Sequence, residues 1–243
     1  MVMVGLLSKL DKKLFKIVAD SGRIADQLGF RAYLVGGPVR DLILKRSHVD
    51  LDIMVEGNAI RLAEDLVATH RGAKIVRHQA FKTATVELPD GQMVDFATAR
   101  KETYKKGGAF PKVVPSDIKE DLFRRDFTIN AMAIIINPRH RGKLIDAFDG
   151  MKDLRAQRIR ILHENSFLDD PTRIVRAARF KARFGFGMER GTLKILKEAI
   201  RAGALDTIKP QRYAKEFNKI LKEKKSQEAI KCLKAWDAYR GEK

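Results

Sequence analysis

The chain has a single cysteine, Cys232, among its 243 residues. One thiol excludes an internal disulfide and a cysteine zinc cluster, and a reducing cytoplasm is the simple expectation. Long apolar runs are missing as well. None approaches the roughly 20 residues that a membrane span requires, so no membrane partner is expected. The N-terminal MVMVGLL is short, lacks a basic flank ahead of it and runs straight into KLDKKLFKIVADSG, which argues against a signal peptide. No internal repeat or low-complexity tract occurs. No GK[ST] follows the glycine pair at 36–37, so this is not a P-loop.

Acidic residues are also scarce, 31 against 49 lysines and arginines, for a formal charge of +18 and a pI near 10.0. That excess is the electrostatic footprint of a nucleic-acid binder. It is graded along the chain: residues 1–137 hold 22 basic against 17 acidic side chains, and residues 138–243 hold 27 against 14. Catalysis in the first part and a polyanion grip in the second would account for the gradient. A hydrophobic share of 44% is that of a soluble globular protein.

The chain order supports the same division. Residues 10–29 read as an amphipathic helix, AYLVGG (32–37) as a strand, PVRDLILKR as a helix with Pro38 in its first turn, and VDLDIMV as a second strand. NAIRLAEDLVATH reads as a helix capped by Asn58. AKIVRH, KTATVEL and QMVDFAT read as strands, the last two joined by the turn PDGQ. A polar loop over 101–117, a helix over DFTINAMA and a last strand at KLIDAF complete an α/β part. From about 150 the pattern is helical almost throughout. The expectation is an α+β chain: residues 1–145 form a mixed β-sheet head with flanking helices, and residues 146–243 an all-α neck or partial body.

Within VDLDIMV the apolar Val49, Leu51, Ile53 and Val55 would line one strand face, with Asp50 and Asp52 side by side on the other. Two carboxylates so placed repel each other, and a hard divalent cation such as Mg²⁺ would offset that. The bland alternative is a solvated strand face. Asp95, between Val94 and Phe96, is a candidate third carboxylate on a neighbouring strand. Gly36 and Gly37 end a strand just before a helix, where phosphates can approach the backbone, and Arg40 sits one turn further on. The competing reading is a tight turn with a surface Arg40–Asp41 ion pair. In RRDFTIN, Arg125, Asp126 and Asn130 are candidate phosphate, ribose or base contacts, or else a capped helix start with a salt bridge. In DDPTRIVRAARF, helical spacing puts Asp170, Arg173 and Arg176 on one arc, with Arg179 drifting round it. An Asp and an Arg together can donate and accept along a nucleobase edge, or they can form a solvated ion pair.

Taken in order, GGPVRD (36–41), DLD (50–52), RRDFTINAMA (124–133), KLIDAFDGMKDL (143–154), DDPTRIVRAARF (169–180) and QRYAKEFNKIL (211–221) resemble the motifs of the bacterial class II tRNA nucleotidyltransferase/poly(A) polymerase family. The resemblance covers residues 15 to 222. It implies a nucleotidyltransferase-fold head and a helical neck. Asp50 and Asp52 would hold Mg²⁺, with Mn²⁺ as an alternative ion, and Asp95 would join them in catalysis. Gly36, Gly37, Arg40, Arg125, Asp126 and Asn130 would meet the incoming nucleotide. Asp170 and Arg173 would pair with its base, supported by Arg176 and Arg179, so that protein rather than nucleic acid is the template. Residues 143–154 match an element regarded as flexible.

The reaction implied is template-independent addition of C, A or both to a tRNA 3′ end from CTP and ATP, releasing pyrophosphate. Poly(A) synthesis is the alternative within the family. A non-catalytic RNA-binding module on the same scaffold, or transfer to a small molecule, are alternatives of another class. Two departures stand out. The chain ends about twenty residues after the last motif, where family members usually continue into body and tail domains, so those domains are absent, or a homo-oligomer or partner supplies their function, or the sequence is a fragment. Gln211 also stands where an acidic residue is common.

Overall fold

A computed structural model describes residues 5–46 and 50–241. The chain divides into two compact units, one of 1–101, 113–125 and 130–150, the other of 102–112, 126–129 and 151–243. Two short inner segments thus belong with the second unit although they lie far from it in sequence.

The first unit opens with α1 (Lys12–Gln27), whose N-terminus is capped by Asp11 accepting from the amides of Lys13 and Leu14. Leu14, Ile17, Val18, Ile24 and Ala25 recur at helical spacing and are buried. Gly22 lets this helix close on the chain beyond the sheet, since a Cβ there would lie 1.9 Å from the Ile136 carbonyl oxygen. Then come β1 (Arg31–Val35), α2 (Gly37–Ile43), β2 (Leu51–Glu56), α3 (Ala59–Thr69), β3 (Lys74–His78), β4 (Thr83–Glu87) and β5 (Met93–Thr98). Asn58 caps α3, as its sequence suggests. β6 (Arg100–Thr103) and β7 (Lys112–Pro115) pair as a small ribbon within the stretch expected to be a loop. α4 (Ile118–Phe123), β8 (Ala133–Ile135) and β9 (Leu144–Ile145) follow.

Seven strands form one mixed sheet in the order β3-β4-β5-β2-β1-β8-β9. β2 and β5 run parallel, and the other neighbours are antiparallel. α1 and α3 pack on one face of it. Val86, Val94, Phe96, Ile53 and Val55 are buried in the core. The other face of β3, β4 and β5 is open, because Val76, Thr85, Met93 and Asp95 alternate with those core residues.

Two further expectations give way. DFTINAMA is not a helix: Thr128–Asn130 is one 3-10 turn, and Ala133–Ile135 pairs with β1. A short apolar run is ambiguous between the two states, and an open edge on β1 decides it. The carboxylate strand starts at Leu51, with Asp50 exposed just ahead of it and Val49 outside the described residues. Its second face is not wholly polar, since Met54 is buried beyond Asp52.

The second unit holds α5 (Gly150–Arg155, whose first residue belongs to the first unit), β10 (Arg158–Ile159), α6 (Ser166–Asp169), α7 (Thr172–Phe184), β11 (Gly187–Met188), α8 (Arg190–Arg201), α9 (Pro210–Leu221) and α10 (Ser226–Ala235). α7 is its centre, packed by α9 and α10. Phe127 meets Phe180 edge to face at 5.9 Å between ring centroids. β10 and β11 form a short parallel pair that the helical pattern conceals. Among the described residues, no helix is long and apolar enough to cross a membrane.

Candidate functional site

In the first unit, β1 ends at Val35 and the chain turns through Gly36, with φ +70° and ψ −123°. That backbone suits glycine alone. A Cβ on Gly36 would also lie 2.5 Å from Nη1 of Arg125. Gly37 and Pro38 then open α2. Arg40 is buried and forms a two-pronged bond with Asp41, Nε to Oδ1 at 3.0 Å and Nη2 to Oδ2 at 2.8 Å, while its Nη1 donates to Asn130 Oδ1. The Arg40–Asp41 pair therefore exists, but it is buried rather than on the surface, and it joins the glycine turn to the RRDFTIN segment.

Asp52 on β2 and Asp95 on β5 are partners in the parallel ladder, so their side chains stand side by side on the open face. The Asp52 carboxyl is pushed up to about 6, by burial first; Arg125 opposes the rise, Asp95 and Asp50 add to it, and Arg40 opposes it. Thr85 on β4 donates its hydroxyl to Asp95 Oδ1 at 2.6 Å and fixes the orientation of that carboxylate. Among the described residues no group of three or more carboxylate, imidazole or thiol side chains closes into a metal cage. Two adjacent carboxylates, Asp52 half-buried and Asp95 exposed, still fit an ion that keeps waters and takes substrate phosphates as its remaining ligands.

Arg125 is aimed at the glycine turn by Asp121, which accepts Arg125 Nη2 at 3.1 Å, Arg124 Nη2 at 2.7 Å and the amide of Arg100 at 3.2 Å. Asp121 is fully buried, and reading motifs alone passes over it. Its i,i+4 spacing from Arg125 was the available signal.

In the second unit, Asp170 lies ahead of α7 with extended backbone, so it is not on a helical arc with Arg173 and Arg176. Its Oδ1 accepts from the Thr172 amide (3.1 Å) and hydroxyl (2.6 Å) and from Arg212 Nη2 (2.9 Å). Arg173 is buried and donates to Ser166 Oγ at 2.7 Å. Arg176 holds Asp126 Oδ2 through Nε (2.8 Å) and Nη2 (2.5 Å), which places Asp126 as an anchor for α7. Arg179 stacks over the Phe180 ring at 5.0 Å.

Glu216 on α9 is the residue that organises this cluster. Its Oε2 lies 3.5 Å from Arg176 and 3.6 Å from Arg179, and its Oε1 takes Lys219 Nζ at 2.6 Å. Burial works to lower the Arg176 pKa, but Asp126 and Glu216 more than offset it and hold the guanidinium above its usual range. Burial depresses Arg179, and repulsion from Arg176 adds to that. The last motif, Arg212, Glu216 and Lys219, thus orients Asp170 and the α7 arginines. On α9 the i, i+4, i+7 spacing of these three puts them on one helix face, and their partners Arg176 and Asp170 lie some 40 residues away.

The segment 102–112 also sits on this unit. The Gly108 amide donates to the carbonyls of Leu168 and Asp169, and the Gly108 carbonyl accepts Arg212 Nη1 at 2.8 Å. Tyr104, close enough to feel Arg173 and Asp170, donates to Glu102 Oε2 at 2.8 Å.

Comparison with known proteins fits this arrangement. Residues 32–160 match the poly A polymerase head domain family. The A-adding tRNA nucleotidyltransferase of Geobacter sulfurreducens is 43% identical over 214 residues, 88% of this chain and 24% of that protein. The solved apo form II of a CCA-adding enzyme superposes with a TM-score of 0.93 at 43% identity, over 98% of this chain and 56% of the other. A Thermotoga maritima CCA-adding enzyme solved with tRNA gives 0.85 at 42% identity, over 98% and 54%. The chain thus spans about a quarter of that curated relative and about half of those solved chains.

Proposed function

The chain belongs to the poly A polymerase head domain family, and from that premise we propose that it adds nucleotides, C or A or both, to the 3′ end of tRNA without a nucleic acid template. The observation that carries the proposal is the Asp52–Asp95 register pair beside the Gly36–Arg125 turn. Carboxylates that repel each other next to arginines at a glycine turn suit phosphoryl transfer, where positioning and charge stabilisation supply most of the rate.

Asp50 and Asp52 would hold Mg²⁺ or Mn²⁺, which when bound lowers the pKa of an attacking hydroxyl and neutralises phosphate charge. Gly36 and Gly37 let the triphosphate of CTP or ATP approach the backbone, and Arg125, held by Asp121, neutralises it. Arg40 and Asn130 brace that turn. The RNA 3′ oxygen bonds to the α-phosphorus, the bond to the bridging oxygen breaks, and pyrophosphate leaves. Asp95, oriented by Thr85, accepts the hydroxyl proton. Asp170 and Arg173 present a donor–acceptor edge to the incoming base, while Arg176 and Arg179 support it through Glu216 and Asp126. The partners are a tRNA 3′ end and CTP or ATP.

The test uses three tRNA transcripts, ending before CCA, after the first C and after CC, each given labelled CTP, ATP or both. Addition that stops at the CCA end supports the proposal, whether all three nucleotides or only part of the triplet are supplied. Long A tails on any RNA, or no incorporation on any transcript, would overturn it.

A further inference from the structure

In the second unit α9 is apolar along two faces, and only one of them is covered by the described residues. Tyr213, Glu216 and Ile220 are buried on the side that meets α7. About 90° round the helix run Pro210, Ala214, Phe217 and Leu221, spaced 4, 3 and 4. Pro210 and Ala214 are exposed, and Leu221 is 54% exposed. This second line floors a groove of about 600 Å³, whose opposite wall is Tyr239 in the segment after α10. Tyr213 pins that segment, its hydroxyl donating to the Ala238 carbonyl at 2.9 Å and accepting from the Arg240 amide at 3.0 Å. Lys215 and Lys222 stand along one rim, both exposed and neither paired with a carboxylate among the described residues. On the other rim Lys234 lies over the Tyr239 ring at 5.1 Å, and Arg240 pairs with Asp206.

We infer that this groove seats an amphipathic helix of a partner protein, apolar at heptad spacing and acidic along its flanks. A 4-3-4 line over three turns is the seam into which a second helix sets its own side chains. Ala214 at the middle of the line lets the two backbones approach closely. An RNA strand fits less well, because the ring faces it would stack on are taken. Tyr213 and Phe217 stack on each other, 18° between planes and 6.0 Å between centroids, and Tyr239 meets Phe217 edge to face at 5.8 Å. A second copy of the chain is opposed by charge, since the same lysines would face one another across a two-fold axis. Acidic flanks, by contrast, meet Lys215 and Lys222 on one rim and Lys234 on the other. Arg212 and Glu216 point away from the groove, so it can fill without displacing their bonds to Asp170 and Arg176.

Anisotropy titrations of the full chain with two labelled synthetic peptides test this. One peptide spans about three heptads with Leu at a and d and Glu at e and g, and the other has Lys in place of each Glu. The Glu peptide should bind wild type at least about tenfold more tightly than the Lys peptide, gain helicity on binding and weaken as salt is raised. Ala214→Glu, which sets a bulky like charge in the seam, and Leu221→Asp should each weaken the Glu peptide roughly tenfold. Both positions are exposed, so both variants are expected to melt like wild type. Lys215→Glu combined with Lys222→Glu should reverse the preference between the peptides. Equal affinity for the two peptides, or no binding of either, would overturn the inference, as would a Glu peptide that Ala214→Glu and Leu221→Asp bind like wild type. Loss of tRNA affinity in Ala214→Glu without loss of peptide would overturn it in favour of RNA. A wild-type dimer in sedimentation that Ala214→Glu dissolves would overturn it in favour of a second copy.

Discussion

Asp52 and Asp95 face outward side by side from the parallel β2–β5 pair, and Asp52 is held near a pKa of about 6 by burial first and by its carboxylate neighbours second. The folded value lies above the ordinary 3.8 of the unfolded chain, so between about pH 4 and pH 6 the native state binds the extra proton. Stability then falls as pH rises through that window, and the penalty is fully present above it.

Asp52→Asn removes that penalty. The melting temperature at pH 7.5 should rise by about 5 °C, corresponding to roughly 1–2 kcal/mol, and should match wild type at pH 3.5. Added Mg²⁺ should stabilise wild type at pH 7.5 and leave the variant unmoved. A lower melting temperature for the variant at pH 7.5 would mean that Asp52 is a structural anchor instead.

Glu216→Gln strips Arg176 and Arg179 of their shared carboxylate. Breaking a buried charge cluster from one side costs about 2–4 kcal/mol, and thermal melts should show it. Burial works to raise the Glu216 pKa, but Arg176, Lys219 and Arg179 bring it below the usual range. The wild-type advantage should therefore persist at neutral pH and disappear only as pH falls below the ordinary glutamate value. A neutral effect at pH 7 would show that Asp126 alone suffices to hold α7.

Gly36→Ala sets a methyl against Arg125 at a backbone angle that alanine resists. The strain is about 1–3 kcal/mol. The displaced guanidinium should appear as a raised nucleotide KM with little change in the tRNA KM. Combining it with Arg125→Ala should give less than the sum of the two effects, because one contact is lost twice. Strict additivity would separate the glycine turn from Arg125.

Asp170→Ala should blunt the choice of base. Relative kcat/KM for ATP or CTP over GTP and UTP is expected to fall by roughly ten- to a hundredfold, as for loss of a hydrogen-bonding selector. Unchanged discrimination would remove Asp170 from base recognition.

The motifs to which we assign chemistry are legible because they are local: the glycine pair, the strand aspartates and the arginines of RRDFTIN and DDPTR. The strand setting of Asp95 was legible from the alternation around it. What escaped were the residues that position these groups. Asp121, Thr85 and Glu216 matter through partners across a ladder or from another helix, and no local pattern marks such pairings. Asp153 is the extreme case, fully buried and binding Arg158, Arg160 and the Thr128 hydroxyl inside a segment read as a flexible element. Residues 131–133 misled for a different reason, since the apolar run through 136 suits helix and strand alike until β1 offers its edge.

We propose that nucleotidyl transfer by this chain depends on the head carboxylates. Single-turnover incorporation of labelled nucleotide onto tRNA, with Mg²⁺, in wild type, Asp52→Asn and Asp95→Asn tests it most directly. Each variant should lose at least about a thousandfold in rate, on the order of 4 kcal/mol of barrier, while its circular dichroism and tRNA affinity stay as in wild type. Variants that retain wild-type rates would contradict the account.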